Sequence, residues 1–238
     1  MSFGSPRRHY RRADSTNARA RELVEAGAPS GAVVTADEQT AGRGRRGRAW
    51  STPAGRALLY SAVLRPLEPR HTLLPLAAPL AVCDAIESVA PVRCEVKWPN
   101  DVWIEERKAA GILIESRPPG WAVIGIGVNV AIEPDEFAAE LRWPATSIGR
   151  GVTVEATLAA LNEALAAWVD APPERVLADY RGRDALRGRG VSWEDGPRGL
   201  ERGRGTADGV DDRGDLVVDI AEGGRVALGA GEVQLKLG

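Results

Sequence analysis

Two histidines and two cysteines are all that this sequence offers of the side chains that most often ligate transition metals or form nucleophile–base pairs. His9, His71, Cys83 and Cys94 do not fall at metal-ligand spacing, which argues against a zinc site built by the protein. A histidine-based catalytic triad has almost no candidates. Cys83 follows Leu80-Ala81-Val82 and Cys94 sits between Arg93 and Glu95, so both read as reduced thiols. No stretch of about 18 apolar residues is present, and no membrane-spanning helix is expected. The N-terminal residues 1–12 are basic but lack the apolar core of a secretory signal, so a cytoplasmic location is expected. Charge of one sign is not in excess either. The 31 Lys and Arg against 33 Asp and Glu leave a net charge of −2, so any basic patch is local. The sequence has no Walker loop and no Gly-x-Gly-x-x-Gly followed by a helix.

What is present is concentrated. Gly42-Arg43-Gly44-Arg45-Arg46-Gly47-Arg48-Ala49-Trp50 alternates arginine with glycine and ends on an indole. Arginine brings a permanent charge on a planar fork that matches carboxylate and phosphate. Glycine lets the backbone approach a ligand closely, and Trp50 adds a large apolar face. The plain alternative is a solvated basic tract. The flanks decide against it, because residues 32–36 and 57–64 read as buried strands, and a loop held between strands is a usual place for binding chemistry.

The rest of the chain is consistent with one large unit and a small one, and 44% hydrophobic residues support a sizeable core. Asp14-Ser15-Thr16-Asn17 supplies helix-capping residue types ahead of a helix over 18–26 that ends at Gly27. Taken locally, capping is the simpler role for Ser15, Thr16 and Asn17. A helix over 71–90 carries Pro79 and should be kinked or start late. Residues 92–130 read as a strand meander interrupted by Trp98-Pro99-Asn100-Asp101. A short helix is expected near 133–142, a longer amphipathic one over 153–169 and a further one near 176–187. From Gly188 the apolar runs shorten and glycines multiply, which predicts a small all-β barrel of about five strands. The expected division is a catalytic unit over 1–184 and a barrel over 185–238.

Three further stretches carry chemistry. Lys97-Trp98-Pro99-Asn100-Asp101 puts a cation, an amide and a carboxylate at one turn. Lys108-Ala109-Ala110-Gly111-Ile112-Leu113 places a lysine at a strand start and a glycine inside it, where a backbone or ligand often approaches closely. Gly125-Ile126-Gly127-Val128-Asn129-Val130 has glycines at alternate positions, so one strand face there lacks side chains.

In order and spacing, these elements, with Ser15-Thr16-Asn17, Gln39, Thr52-Pro53-Ala54-Gly55 and Pro144-Ala145-Thr146-Ser147-Ile148, resemble the biotin protein ligases. The resemblance covers roughly residues 10–180, and the C-terminal part more loosely. It implies an α+β fold, with a central mixed sheet and helices on one side of it, followed by an SH3-like barrel. It implies that Ser15, Thr16, Asn17, Gln39, Arg43, Gly44 and Arg45 line a biotin pocket closed by Trp50. Lys108 would meet the biotin carboxylate and the α-phosphate of ATP. Arg45, Arg48, Lys97, Asn100, Asp101 and Asn129 would serve the nucleotide and a Mg²⁺ ion that arrives with it. Gly111, Gly125 and Gly127 would let the ligand lie on the sheet. Arg43, Arg45, Lys108 and Asp101 are the implied catalytic set, with Asp101 as the candidate base for an acceptor lysine of a biotin carboxyl carrier protein. Some relatives carry an N-terminal helix-turn-helix that represses transcription. No such element is read here, so neither DNA nor membrane is an expected partner, and a homodimer is left open. Two other classes are alternatives: a lipoate-type ligase of the same superfamily, and a nucleic-acid-binding module with its arginines on phosphates.

Overall fold

The computed structural model describes residues 1–137, 144–194, 202–221, 223–230 and 234–237. A seven-stranded sheet is built from β1 (Arg7–Tyr10), β2 (Val33–Ala36), β3 (Ala57–Leu64), β4 (Glu95–Lys97), β5 (Asp101–Ile104), β6 (Arg107–Arg117) and β7 (Trp121–Asn129). The order is β1-β2-β3-β7-β6-β5-β4. Only β1 and β2 pair in parallel; the other pairs are antiparallel. The meander expected over 92–130 is thus β4 to β7. Glu105 and Glu106, at φ of 49° and 61°, form the two-residue turn between β5 and β6. Strand β1 was not legible beforehand. Its residues Arg7, Arg8, His9 and Tyr10 carry no apolar alternation, because it is an exposed edge strand.

The period of two along each strand sorts side chains onto two faces. Leu58, Tyr60, Ala62 and Leu64 of β3 join Ile124, Ile126 and Val128 of β7 in the main core, together with α2 (Leu74–Val89), α3 (Val154–Val169) and α4 (Pro173–Arg183). On the opposite face, Val34, Val63 and Val123 pack against Ala20 and Val24 of α1 (Thr16–Glu25). The helices therefore cover both faces, not one. The helix expected over 71–90 starts late, at Leu74, after a 3₁₀ turn, and runs through Pro79. With that turn, the segment Pro69–Val89 is long and apolar enough by length and composition to cross a membrane, although Asp84 and Glu87 interrupt it. About two thirds of it is buried within the fold, as in a core helix. The helix expected near 133–142 is a single 3₁₀ turn at Pro134–Glu136, and residues 138–142 lie outside the described residues.

The second sheet holds β8 (Gly190–Glu194), β9 (Arg202–Val210), β10 (Leu216–Asp219), β11 (Arg225–Leu228) and β12 (Gln234–Leu237), in the order β11-β10-β9-β8-β12. Five strands were expected, but not as an open sheet. The outer strands β11 and β12, four residues each, pair only inward, so no barrel closes among the described residues. Strand β9 hid behind its glycines. A Cβ at Gly203 would lie 2.1 Å from the Trp193 indole, so the missing side chain makes room for the tryptophan. The core is continuous from α2 into this sheet, and Trp98 Nε1 donates to the Gly214 carbonyl at 3.1 Å, joining the turn before β5 to the small sheet.

One polar clamp ties the helical layer together. Arg183, at the end of α4, donates two parallel bonds to Glu87 of α2 at 2.6 and 2.9 Å, and also reaches Asp84 at 3.0 Å and the Cys94 carbonyl at 3.2 Å. Asp84 accepts in turn from Trp168 Nε1 of α3 at 2.7 Å. Burial opposes the Glu87 charge, but the Arg183 bonds and the Cys94 N–H outweigh it and hold this carboxyl below its usual range. A depressed folded-state pKa contributes stability above the unfolded pKa, about 4.3, and loses it as pH falls through the folded value. Arg183→Met should therefore lower the unfolding free energy by about 1–3 kcal/mol near neutral pH. In urea titrations the gap to the parent should shrink as pH falls below the unfolded carboxylate value of about 4.3. A gap that stays constant down to about pH 3 would show that the clamp does not act through that charge.

Candidate active site

The cleft lies on the α1 face of the large sheet, where β6 and β7 present glycines instead of side chains. Register places Gly111 of β6 opposite Gly127 of β7, Leu113 opposite Gly125, and Gly125 and Gly127 opposite Ser61 and Leu59 of β3. All three glycines point the same way. A Cβ at Gly127 would come 2.4 Å from the Trp50 indole, and one at Gly111 would come 3.0 Å from it. Trp50, expected to close over a ligand, lies on this glycine floor. Its Nε1 is buried without a hydrogen-bond partner, a donor left for something else to satisfy.

The arginine segment is a pinched hairpin between β2 and β3. Gly44 N–H donates to the Arg48 carbonyl at 2.7 Å and Trp50 N–H to the Gly42 carbonyl at 3.0 Å. Arg46 takes a left-handed φ of 58° at the tip and Gly47 follows at 73°. Gly42 is required for contact: a Cβ there would lie 2.2 Å from the Trp50 carbonyl. The hairpin leaves Arg43 and Arg48 exposed and turns Arg45 inward. Arg45 donates to Asn100 Oδ1 at 3.2 Å, and Asn100 donates to the Ile112 carbonyl at 3.0 Å. The Lys97–Asp101 turn, the arginine hairpin and β6 are thus one assembly. Burial pushes the Arg45 guanidinium below its ordinary pKa, the Asp101 carboxylate opposes that, and a guanidinium stays charged regardless.

Six cations line the cleft: Arg43, Arg45, Arg46, Arg48, Lys97 and Lys108. Among the described residues they face one lining carboxylate, Asp101. Lys108 Nζ is 2.6 Å from Asp101 Oδ1 and 5.5 Å from the centre of the Trp50 ring. Lys97 is buried, 5.9 Å from the Trp103 ring centre. On a protein of net charge −2, this is a local trap for an anionic ligand. The pairing with Lys108 bears on Asp101 as a base: in this state its carboxylate already neutralises a lysine.

Ser15, Thr16 and Asn17 are buried at the start of α1. None of them caps it by its side chain in the way local reading favoured. The Ser15 side chain makes no capping bond. The cap comes from Gln39, whose Oε1 accepts the Thr16 N–H at 2.7 Å from 23 residues away. The Thr16 hydroxyl is 3.1 Å from the same oxygen and 2.8 Å from Ser61 Oγ. Ser61 Oγ is 2.6 Å from Asn17 Oδ1, and Asn17 Nδ2 donates to the Leu113 carbonyl at 3.2 Å and to Glu115 Oε2 at 3.0 Å. Sequence reading missed Ser61 and Glu115. The one available signal for Ser61 was a lone hydroxyl inside an otherwise apolar strand.

The structure brings together Ser15, Thr16, Asn17, Gln39, Arg43, Gly44, Arg45, Arg48, Trp50, Lys97, Asn100, Asp101, Lys108, Gly111, Gly125 and Gly127 around one cleft. It does not bring in Asn129. That side chain, expected on the nucleotide, donates to the carbonyls of Lys108 at 3.3 Å and Thr146 at 3.0 Å, and so fastens the 144–148 segment to the start of β6. Its amide protons are taken by backbone, which fixes Lys108 at the strand end.

The profile of the biotin/lipoate A/B protein ligase family matches residues 10–130. A protein of Paracoccus denitrificans named biotin–[acetyl-CoA-carboxylase] ligase is 37% identical over 236 residues, covering 93% of this chain and 97% of its own length. The bifunctional ligase/repressor BirA of Bacillus subtilis is 41% identical over 142 residues; that match covers 57% of this chain and only 44% of the relative's length. Among solved structures, biotin protein ligase from Aquifex aeolicus in complex with biotin and ATP is similar with a TM-score of 0.80 at 27% identity, covering 98% of this chain and 100% of that one. With the profile spanning half of the sequence and a relative more than a third identical along nearly its whole length, the chain belongs to the biotin/lipoate A/B protein ligase family.

Proposed function

We propose that this protein is an ATP-dependent biotin protein ligase. It joins biotin to ATP as biotinyl-5′-AMP, releases pyrophosphate, and passes the biotinyl group to one lysine of a biotin carboxyl carrier protein. The observation that carries the reading is the strip of side-chain-free sheet ringed by six cations. An apolar ring system fits on the glycines, and a carboxylate and a phosphate fit among the charges. The name of the Paracoccus denitrificans relative and the biotin and ATP of the Aquifex aeolicus complex point to the same chemistry. The arginine hairpin favours this over lipoate attachment or nucleic-acid binding. We assign residues 1–184 to the catalytic unit and 185–238 to a C-terminal unit of undetermined role.

The first step needs no base, since a carboxylate is already a nucleophile near neutral pH. Its obstacle is repulsion between that anion and the α-phosphate. Arg43, Arg45, Arg48 and Lys108 offset it and stabilise the charge that develops as the carboxylate oxygen bonds to phosphorus and the bond to pyrophosphate breaks. Mg²⁺ is the usual counter-ion of a triphosphate. Asp101, the one carboxylate in the lining, is held by Lys108, and no group of three or more His, Cys, Asp or Glu side chains among the described residues could hold a metal. We take the ion to arrive with the nucleotide. In the second step the acceptor amine attacks the acyl carbon and AMP leaves. The amine begins protonated, with a reference pKa of about 10.4. Once Lys108 turns to the ligand's phosphate, Asp101 is released from its ion pair and can take that proton.

Two variants test this reading. Lys108→Ala removes a cation that faces two anions. Biotin-dependent exchange of labelled pyrophosphate into ATP should fall by roughly 10²-fold or more while the fold persists. Near-normal exchange would take Lys108 out of the reaction. Arg45→Gly removes the Asn100 contact and loosens the hairpin, so the adenylate should escape roughly ten- to a hundredfold faster. Supplied with biotin and MgATP but no acceptor, this variant should biotinylate serum albumin far more than the parent does. If it makes adenylate yet labels albumin no faster, Arg45 does not retain the intermediate.

A further inference from the structure

Behind the cleft runs a chain of hydrogen bonds with two self-consistent arrangements of its protons, and a carboxylate outside the cleft lining selects one of them. Asn17 is tightly enclosed, since a Cβ at Gly125 would lie 2.0 Å from its Oδ1. Its Nδ2 donates to the Leu113 carbonyl and to Glu115 Oε2, which commits both amide protons. Oδ1, an acceptor only, faces Ser61 Oγ at 2.6 Å, so Ser61 must give it its single proton. Ser61 Oγ can then only accept, and the hydroxyl 2.8 Å away is Thr16. The Thr16 proton therefore points at Ser61 and away from Gln39 Oε1, which already holds the Thr16 backbone N–H. Seen from the cleft, Thr16 Oγ1 is an acceptor. Gln39, with its oxygen bound, presents Nε2 as a donor.

Turning the Asn17 amide over would reverse every proton in the relay. Asn17 would donate to Ser61, Ser61 to Thr16 and Thr16 to Gln39. That arrangement satisfies the hydroxyls and also gives the Thr16 proton to Gln39 Oε1, 3.1 Å away, but it sets Asn17 Oδ1 against two acceptors, the Leu113 carbonyl and the Glu115 carboxylate. Arg21 Nη1, 3.8 Å from the other Glu115 oxygen, balances the carboxylate without contacting Asn17 Oδ1. We propose that Glu115 is a positioning residue for substrate: acting through Asn17 and Ser61, it fixes the Thr16 hydroxyl as an acceptor and so sets the polar pattern that the cleft offers to the biotin ring. The proposal rests on the ligase reading. The biotin head is a cyclic urea with ring N–H groups beside a carbonyl, and an acceptor next to a donor is the pattern that complements it. A pocket with a fixed pattern discriminates strongly, because a mismatched polar group is left buried and unpaired.

The test is biotin-dependent pyrophosphate exchange, with biotin and ATP varied separately. Glu115→Gln keeps the shape but can present either an oxygen or an NH₂ to Asn17, so the reversed relay is opposed only by the Leu113 carbonyl and gains population. The biotin KM should rise roughly tenfold, with the ATP KM and the melting temperature nearly unchanged. In a Thr16→Val background, where no hydroxyl remains to orient, the same change should have almost no further effect. An unchanged biotin KM, an equal rise in the ATP KM, or an undiminished effect in the Thr16→Val background would overturn the proposal. If Glu115→Gln does not fold, Ser61→Ala cuts the relay at its middle and should show the same selective rise; an unaltered biotin KM there overturns it equally. A parent enzyme with no biotin-dependent exchange would sink the ligase reading and this inference with it. An active parent with insensitive variants sinks only the inference.

Discussion

The site depends first on strand register. Gly111, Gly125 and Gly127 face the cleft only because β3, β7 and β6 pair so that residues 59, 127 and 111 lie side by side, with 61, 125 and 113 beside them. A slip of one residue would turn Ile112, Ile126 and Leu58 into the cleft and bury the glycines in the main core. That core resists such a slip, since those apolar residues already pack against the α2 layer. The same period of two that builds the core on one face clears the floor of the cleft on the other.

On that floor the charges are arranged by loops, not by strands. The arginine hairpin is closed by its own backbone bonds and tied to the Asn100 turn through Arg45, while Lys108 is held at the end of β6 by Asn129 and the 144–148 segment. Several of these groups satisfy one another. Lys108 pairs with Asp101, and the Trp50 indole covers the glycines. Binding an acid and a nucleotide then means exchanging partners. On the proposed ligase reading, an anion would take Lys108 from Asp101 and leave that carboxylate for the proton of the second step.

At the opposite end, polar groups that bear no charge do the sorting. Helix α1 begins at a site where Gln39 supplies the cap and Thr16, Ser61 and Asn17 supply a buried relay. Because Gln39 does the capping, the Ser15 hydroxyl is left available to the cleft. The cleft is thus divided, with cations at one end and neutral donors and acceptors at the other, which is the division that the proposed substrates would use.

Much of this was legible in the residues themselves. Alternate glycines in an apolar run announce a bare strand face, and arginines between two buried strands announce a held anion site, because both follow from local periodicity and charge. The order of the motifs likewise placed Lys108, Asn100 and Asp101 beside the arginine hairpin. What sequence could not decide were matters of partnership. Ser15 and Thr16 look like caps until Gln39 arrives from a distant loop. Asn129 reads only as a ligand contact until its Nδ2 is found on two backbone carbonyls, a second task that the sequence did not show. The Gly-rich β9 looks like a loop until Trp193 covers Gly203, and the exposed edge β1 shows no pattern at all. Closure of the small sheet was equally undetermined, for it depends on whether two outer strands meet. The sequence by itself determined which face of each strand is apolar and where the cations cluster. Only the tertiary structure decided which polar group satisfies which, because a hydrogen bond is fixed by the separation of two atoms that the chain order leaves far apart.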